Sequence, residues 1–166
     1  MYKITPAGTL TNGLIYVVGG YTGSRSAIVQ RYNPATDTWA SEASMLTAKS
    51  GPVVGLLGTT IVSAGGLENS GNPTGDTEGY NATTNKWSPL MPDTTPRNGG
   101  CGAAVLGKLC VTGGSTSNLA GGATIKTESF IAATGVWTVA GASTASNDQC
   151  HAGGREQPTV LLRRIG

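Results

Sequence analysis

Leu14-Ile15-Tyr16-Val17-Val18-Gly19-Gly20, followed by Tyr32-Asn33-Pro34-Ala35-Thr36-Asp37-Thr38-Trp39, is the stretch that decides the fold, because the chain writes it three times. The second copy runs through Thr60-Ile61-Val62-Ser63-Ala64-Gly65-Gly66 to Tyr80 and Trp87, and the third through Leu109-Cys110-Val111-Thr112-Gly113-Gly114 to Phe130 and Trp137. Each aromatic stands seven residues before its tryptophan, and the tryptophans are 48 and 50 residues apart. A fixed period of this length is one supersecondary unit in tandem, a unit that buries its apolar face only against its neighbours.

Each unit reads as four strands. A run of small residues, a glycine turn and a β-branched run ended by two glycines make an inner hairpin. The segments at 27–32, 76–80 and 124–130 read as a third strand, and the tryptophan opens a fourth. Four antiparallel strands at this period form the blade of a β-propeller. No segment keeps a 3.6-residue apolar rhythm, so an all-β chain is expected. The expected boundaries are 3–42 for blade one, 50–90 for blade two and 98–141 for blade three. Residues 147–166 read as the degraded start of a fourth blade or a clasp strand, and 1–166 as one partial propeller domain.

The double glycines, the strand-three aromatics and the tryptophans seven residues later resemble kelch repeats over roughly residues 5–140. The resemblance implies a kelch-type propeller used as a protein-binding platform. The family also contains enzymes such as galactose oxidase, whose copper chemistry needs a gathered tyrosine-histidine-cysteine set, so a fragment or half of a kelch-type enzyme is the alternative.

Composition narrows the function. Only 12% of residues are charged and the net charge is +2, with no Lys/Arg block to mark nucleic acid or a membrane surface. No apolar run approaches a membrane span, and Met1-Tyr2-Lys3-Ile4 opens no signal peptide. The single histidine, His151, excludes a multi-histidine metal site within one chain. Its neighbour Cys150 points to the opposite side of an extended strand, so the pair is no nucleophile and base. Cys101, Cys110 and Cys150 are read as small hydrophobes without a disulfide, Cys101 lying four residue pairs beyond Cys110 on a hairpin turning at Gly107-Lys108. Asn81-Ala82-Thr83 fits a glycosylation acceptor, a triplet common by chance. Neither a cofactor nor a catalytic residue is assigned.

Loops are the candidates for function, since a rigid scaffold leaves them free to vary. In an antiparallel blade the connections from strand two to three and from four to the next blade leave on one face. The first kind spans 21–26, 67–75 and 115–123; the second carries Met45, Lys49, Met91, Asp93 and Arg97. Arg25, Lys49, Asn69, Arg97 and Asn118 are the candidate binding residues, the cations suiting an acidic peptide or carboxylate. Gly19, Gly20, Gly65, Gly66, Gly113 and Gly114, with Tyr32, Tyr80, Phe130 and the three tryptophans, are the repeat's structural residues. Trp39, Trp87 and Trp137 are all expected to be buried in equivalent positions. Closed propellers hold about four to eight blades, so the three units here are expected to close as a homodimer, a six-bladed ring.

Overall fold

Alternating burial along short strands builds the molecule. The computed structural model of the chain describes residues 7–11, 13–118 and 122–142. In blade one, β1 (Ala7–Thr11), β2 (Leu14–Val18), β3 (Val29–Asn33) and β4 (Thr38–Glu42) pair in that order. A two-residue strand, β5 (Lys49–Ser50), follows. Blade two comprises β6 (Val53–Leu57), β7 (Thr60–Ala64), β9 (Thr77–Asn81) and β10 (Lys86–Leu90), and β8 (Leu67–Glu68) pairs with β5. Blade three comprises β11 (Cys101–Val105), β12 (Lys108–Thr112), β13 (Lys126–Ile131) and β14 (Val136–Ala142). All named pairings are antiparallel, and the described residues contain no helix long and apolar enough to cross a membrane.

The core lies between blades, as period-two alternation demands when both faces of a sheet are covered. Tyr16, Val18 and Val29 of blade one pack with Met45 against Ile61, Tyr80 and Trp87 of blade two. Val53, Leu57, Val62 and Ala64 on the other face of blade two pack against Leu109, Val111, Phe130 and Trp137 of blade three. Strand β1 lies against β6, and β6 against β11 and β12. The innermost strands come close through missing side chains: a methyl group on Gly102 would fall 2.2 Å from Val53 Cγ1.

Each tryptophan stacks on its partner aromatic across the third and fourth strands. Ring centroids are 4.9 Å apart for Tyr32 and Trp39, 5.2 Å for Tyr80 and Trp87, and 5.6 Å for Phe130 and Trp137. The turn before each tryptophan carries a left-handed residue two positions upstream: Asp37 (φ 52°), Asn85 (φ 51°) and Gly135 (φ 69°). Asparagine, aspartate and glycine are the residues that tolerate this conformation.

Three expectations need correction. Trp87 and Trp137 are each 8% exposed, but Trp39 is 57% exposed. The first two are covered by the preceding blade, whereas no described residue covers the outer face of blade one. The hairpin of blade three turns at Leu106-Gly107, not Gly107-Lys108, with Val105 opposite Lys108 and Ala103 opposite Cys110. Leu106 (φ 49°) and Gly107 (φ 73°) both have positive φ, as the type I′ turn of a tight hairpin requires. Cys101 is disulfide-bonded, against the reading of three unpaired thiols, while Cys110 is free. Cys150, His151 and the fourth-blade segment lie outside the described residues.

Candidate functional site

The glycine pairs prepare the loop face. Gly20 N donates to Lys49 O at 3.1 Å, and Gly66 N to Arg97 O at 2.7 Å. These bonds seat the crossover to the next blade against the end of the second strand. A methyl group on Gly19 would lie 2.5 Å from Lys49 O, and one on Gly65 2.7 Å from Arg97 O. Both glycines also have positive φ, 68° and 66°. Close approach and backbone conformation thus each require glycine.

The crossovers then turn their cations inward. Lys49 is fully buried, with its ammonium 3.3 Å from Glu78 Oε1 and bonded to Asp76 O at 3.0 Å. Glu78 also accepts from the backbone of Leu46 and Thr47, at 2.7 and 3.2 Å. Burial lowers the Lys49 pKa, and the attraction of Glu78 opposes that shift. One blade on, Arg97 is 1% exposed and pairs with Glu128, while Thr94 donates to the same carboxylate. Its guanidinium further donates to Gly113 O at 3.1 Å, Lys126 O at 2.9 Å and Thr95 O at 3.2 Å.

A second carboxylate shares that arginine. Asp93 Oδ2 is 3.2 Å from Arg97 Nε but accepts no hydrogen bond, since that N–H is directed to Thr95 O. Burial therefore pushes the Asp93 pKa up to about 6, with the Arg97 charge pulling the other way. Burial would raise Glu128 as well, yet the bond from Thr94 and the Arg97 charge leave it below its ordinary value. The better-bonded carboxylate keeps the charge.

These burials reassign two candidate binding residues. Lys49 and Arg97 recur because each is the counter-ion of a glutamate two residues before the strand-three aromatic. Their charges are spent inside the fold and are not presented to a partner. Glu78 and Glu128 were missed in the sequence reading, although their place two before Tyr80 and Phe130 was a usable signal. Blade one has Gln30 at that place, and it is exposed.

The other three candidates stand in a row. Arg25 N donates to Asn69 Oδ1 at 2.8 Å, joining the 21–26 loop of blade one to the 67–75 loop of blade two. A methyl group on Gly71 would lie 3.3 Å from Asn118 Nδ2, so the next loop follows directly. Asn69 and Asn118 are exposed and Arg25 half-buried. The Arg25 guanidinium lies 5.2 Å from the centre of the Tyr21 ring, and its Nε is buried without a hydrogen-bond partner. The result is a strip of amide groups with one ring-backed guanidinium, a surface that suits carbonyl and carboxylate groups of a peptide. Among the described residues no group of three or more His, Cys, Asp or Glu is placed to hold a metal.

Known proteins share this architecture. A family model described as the Kelch motif matches residues 6–46. Kelch-like ECH-associated protein 1A of Danio rerio is 32% identical over 106 residues, covering 61% of this chain and 18% of that protein. Kelch-like protein 15 of Homo sapiens is 29% identical over 115 residues, covering 66% of this chain and 19% of that protein. The chain thus spans about a fifth of the length of these curated relatives. The solved structure of YjhT superposes with a TM-score of 0.72 at 19% identity, over 87% of this chain and 53% of that one, a likeness of fold. Sheets, tryptophan ladder, motif match and relatives agree, and together they support a kelch-repeat family for this chain.

Proposed function

We propose that this chain is a non-catalytic protein-interaction module that binds a protein or peptide on its loop face. The observation that carries the reading is the abutment of three unlike loops, through Arg25 to Asn69 and Gly71 to Asn118, on a scaffold whose own cations are buried. Support also comes from the Danio rerio relative, whose name records an association with ECH. The half-buried Arg25 makes an acidic segment the favoured ligand, because a guanidinium pairs with carboxylates in a forked geometry. Lys49 and Arg97 act beneath this face by fixing the loops, not by touching the ligand.

Fluorescence anisotropy with a panel of labelled acidic peptides tests the reading. Arg25→Glu should abolish binding while leaving the unfolding midpoint in place. Equal binding by wild type and Arg25→Glu would reject the loop face as the site.

A second copy of the chain is also a partner in this proposal. The outer faces of blades one and three carry apolar groups that a neighbouring blade would cover, and two copies give six blades, within the closable range.

A further inference from the structure

The two crossovers hold their loops by the same three backbone bonds. In the first, Gly20 N donates to Lys49 O, Met45 N to Ala27 O at 2.9 Å and Lys49 N to Ser26 O at 3.1 Å. In the second, Gly66 N donates to Arg97 O, Asp93 N to Gly75 O at 2.7 Å and Arg97 N to Thr74 O at 3.2 Å. This second set fastens the 67–75 loop, which carries Asn69. The Arg97 guanidinium, bonded to Gly113 O and Lys126 O, also braces the segment that carries Asn118.

The crossovers differ at a buried position. Met45 and Asp93 each stand six residues beyond their tryptophan, and both are buried. Met45 lies in an apolar cluster, whereas Asp93 puts a carboxylate into the same slot. The scaffold needs no anion there, since Arg97 already has Glu128 as Lys49 has Glu78. Asp93 Oδ1 accepts from Thr95 N at 3.2 Å, and Oδ2 is buried without a hydrogen bond. Charges face it from its own segment and from β13. Arg97 stands beside it, and the Glu128 carboxylate is within hydrogen-bonding reach. Lys126, also on β13, reaches Thr95 Oγ1 at 3.4 Å. Asp76, next to Gly75, turns its carboxylate to Thr47 of the first crossover. A proton on Asp93 makes the orphaned acceptor a donor to Glu128. An ionised Asp93 leaves two buried anions repelling each other around one guanidinium.

We infer that Asp93 is a pH-sensitive latch beneath the loop face: protonated, it holds the second crossover closed on the 67–75 loop, and ionised, it loosens both. The inference deepens the loop-face reading and rests on it only for what the latch serves. The sign follows from burial. Burial holds the Asp93 carboxyl at about 6, and an opened crossover returns it to near 3.9. Closure therefore takes up a proton, is favoured in acid, and loses that advantage as pH rises through 6. Glu128, held below its ordinary value, stays charged across this window. A difference of about two pKa units changes the closure equilibrium by up to about 100-fold.

Amide hydrogen exchange read by NMR tests this without a ligand, each rate being corrected for its intrinsic pH dependence. Between about pH 5 and pH 7.5, protection of the Gly66, Asp93 and Arg97 amides should fall by about 10–100-fold in the wild type. The matching amides of the first crossover, Gly20, Met45 and Lys49, should keep theirs. Asp93→Asn, and Asp93→Met copied from the first crossover, should both hold the second crossover closed across the range. Three results overturn the latch: constant protection in the wild type, an equal loss at both crossovers, or the same loss in the two variants. A loss confined to the second crossover and abolished by the variants supports the latch even where no acidic peptide binds, a failure that would fall on the loop-face reading alone.

Discussion

Arg97→Met offers the sharpest test of how the crossovers are held. The substitution keeps most of the aliphatic volume and removes a guanidinium that is 1% exposed. Two buried carboxylates, Asp93 and Glu128, then lose their cation, and the carbonyls of Thr95, Gly113 and Lys126 lose a donor. Removing one partner of a buried ion pair costs about 3–5 kcal/mol, because the charge left behind is neither solvated nor paired. For a chain of this size that corresponds to a fall of roughly 6–20 °C in Tm. Urea unfolding followed by tryptophan emission at pH 7 measures it, Trp137 being close to the affected seam. The loss should shrink on acidification. Without the guanidinium both carboxyls titrate above their unfolded values, so the folded state binds extra protons and regains stability as pH falls through that range. A deficit under 1 kcal/mol at pH 7, unchanged at pH 5, would refute the claim that these charges are desolvated and dependent on Arg97.

Lys49→Met should cost less than Arg97→Met in the same assay, since Glu78 keeps the two backbone N–H groups of Leu46 and Thr47. Trp87→Ala should cost about 3–5 kcal/mol, as other large-to-small core changes do, measured by urea unfolding followed by circular dichroism. Asp93→Asn should raise stability at pH 7 and flatten its pH dependence. With a folded pKa of about 6, above the unfolded value near 3.9, the wild-type Asp93 gains stability as pH falls from above 6 towards 4, and calorimetry across that window reads the difference. Gly65→Ala should destabilise by about 1–3 kcal/mol through positive φ and the close approach to Arg97 O, read by thermal melts.

The blades were legible because their signals are local and periodic. Glycine pairs mark where the second strand ends, and the seven-residue step from aromatic to tryptophan marks the third and fourth strands whatever the loops contain. Register was less legible. Gly107-Lys108 and Leu106-Gly107 differ by one position, and only the positive φ of Leu106, unusual for a branched side chain, separates them. Burial of Trp39 was misread for a different reason. Sequence equivalence assigns all three tryptophans the same environment, yet the environment belongs to the neighbouring blade and not to the residue.

The cations show the same limit from the other side. Lys49 and Arg97 were found by their recurrence, and recurrence of a charge on a loop invites a ligand. Their partners, Glu78 and Glu128, recur just as faithfully but lie inside strands, and the two patterns meet only when the crossover folds back over β9 and β13. A repeat protein selects its repeated residues for the contacts between repeats, so what repeats belongs to the scaffold. Arg25, Asn69 and Asn118 stand five, three and four residues beyond their glycine pairs, so no single loop position recurs among them. They meet because the scaffold delivers three unlike loops to one face, and the proposed binding surface is accordingly made of what does not repeat.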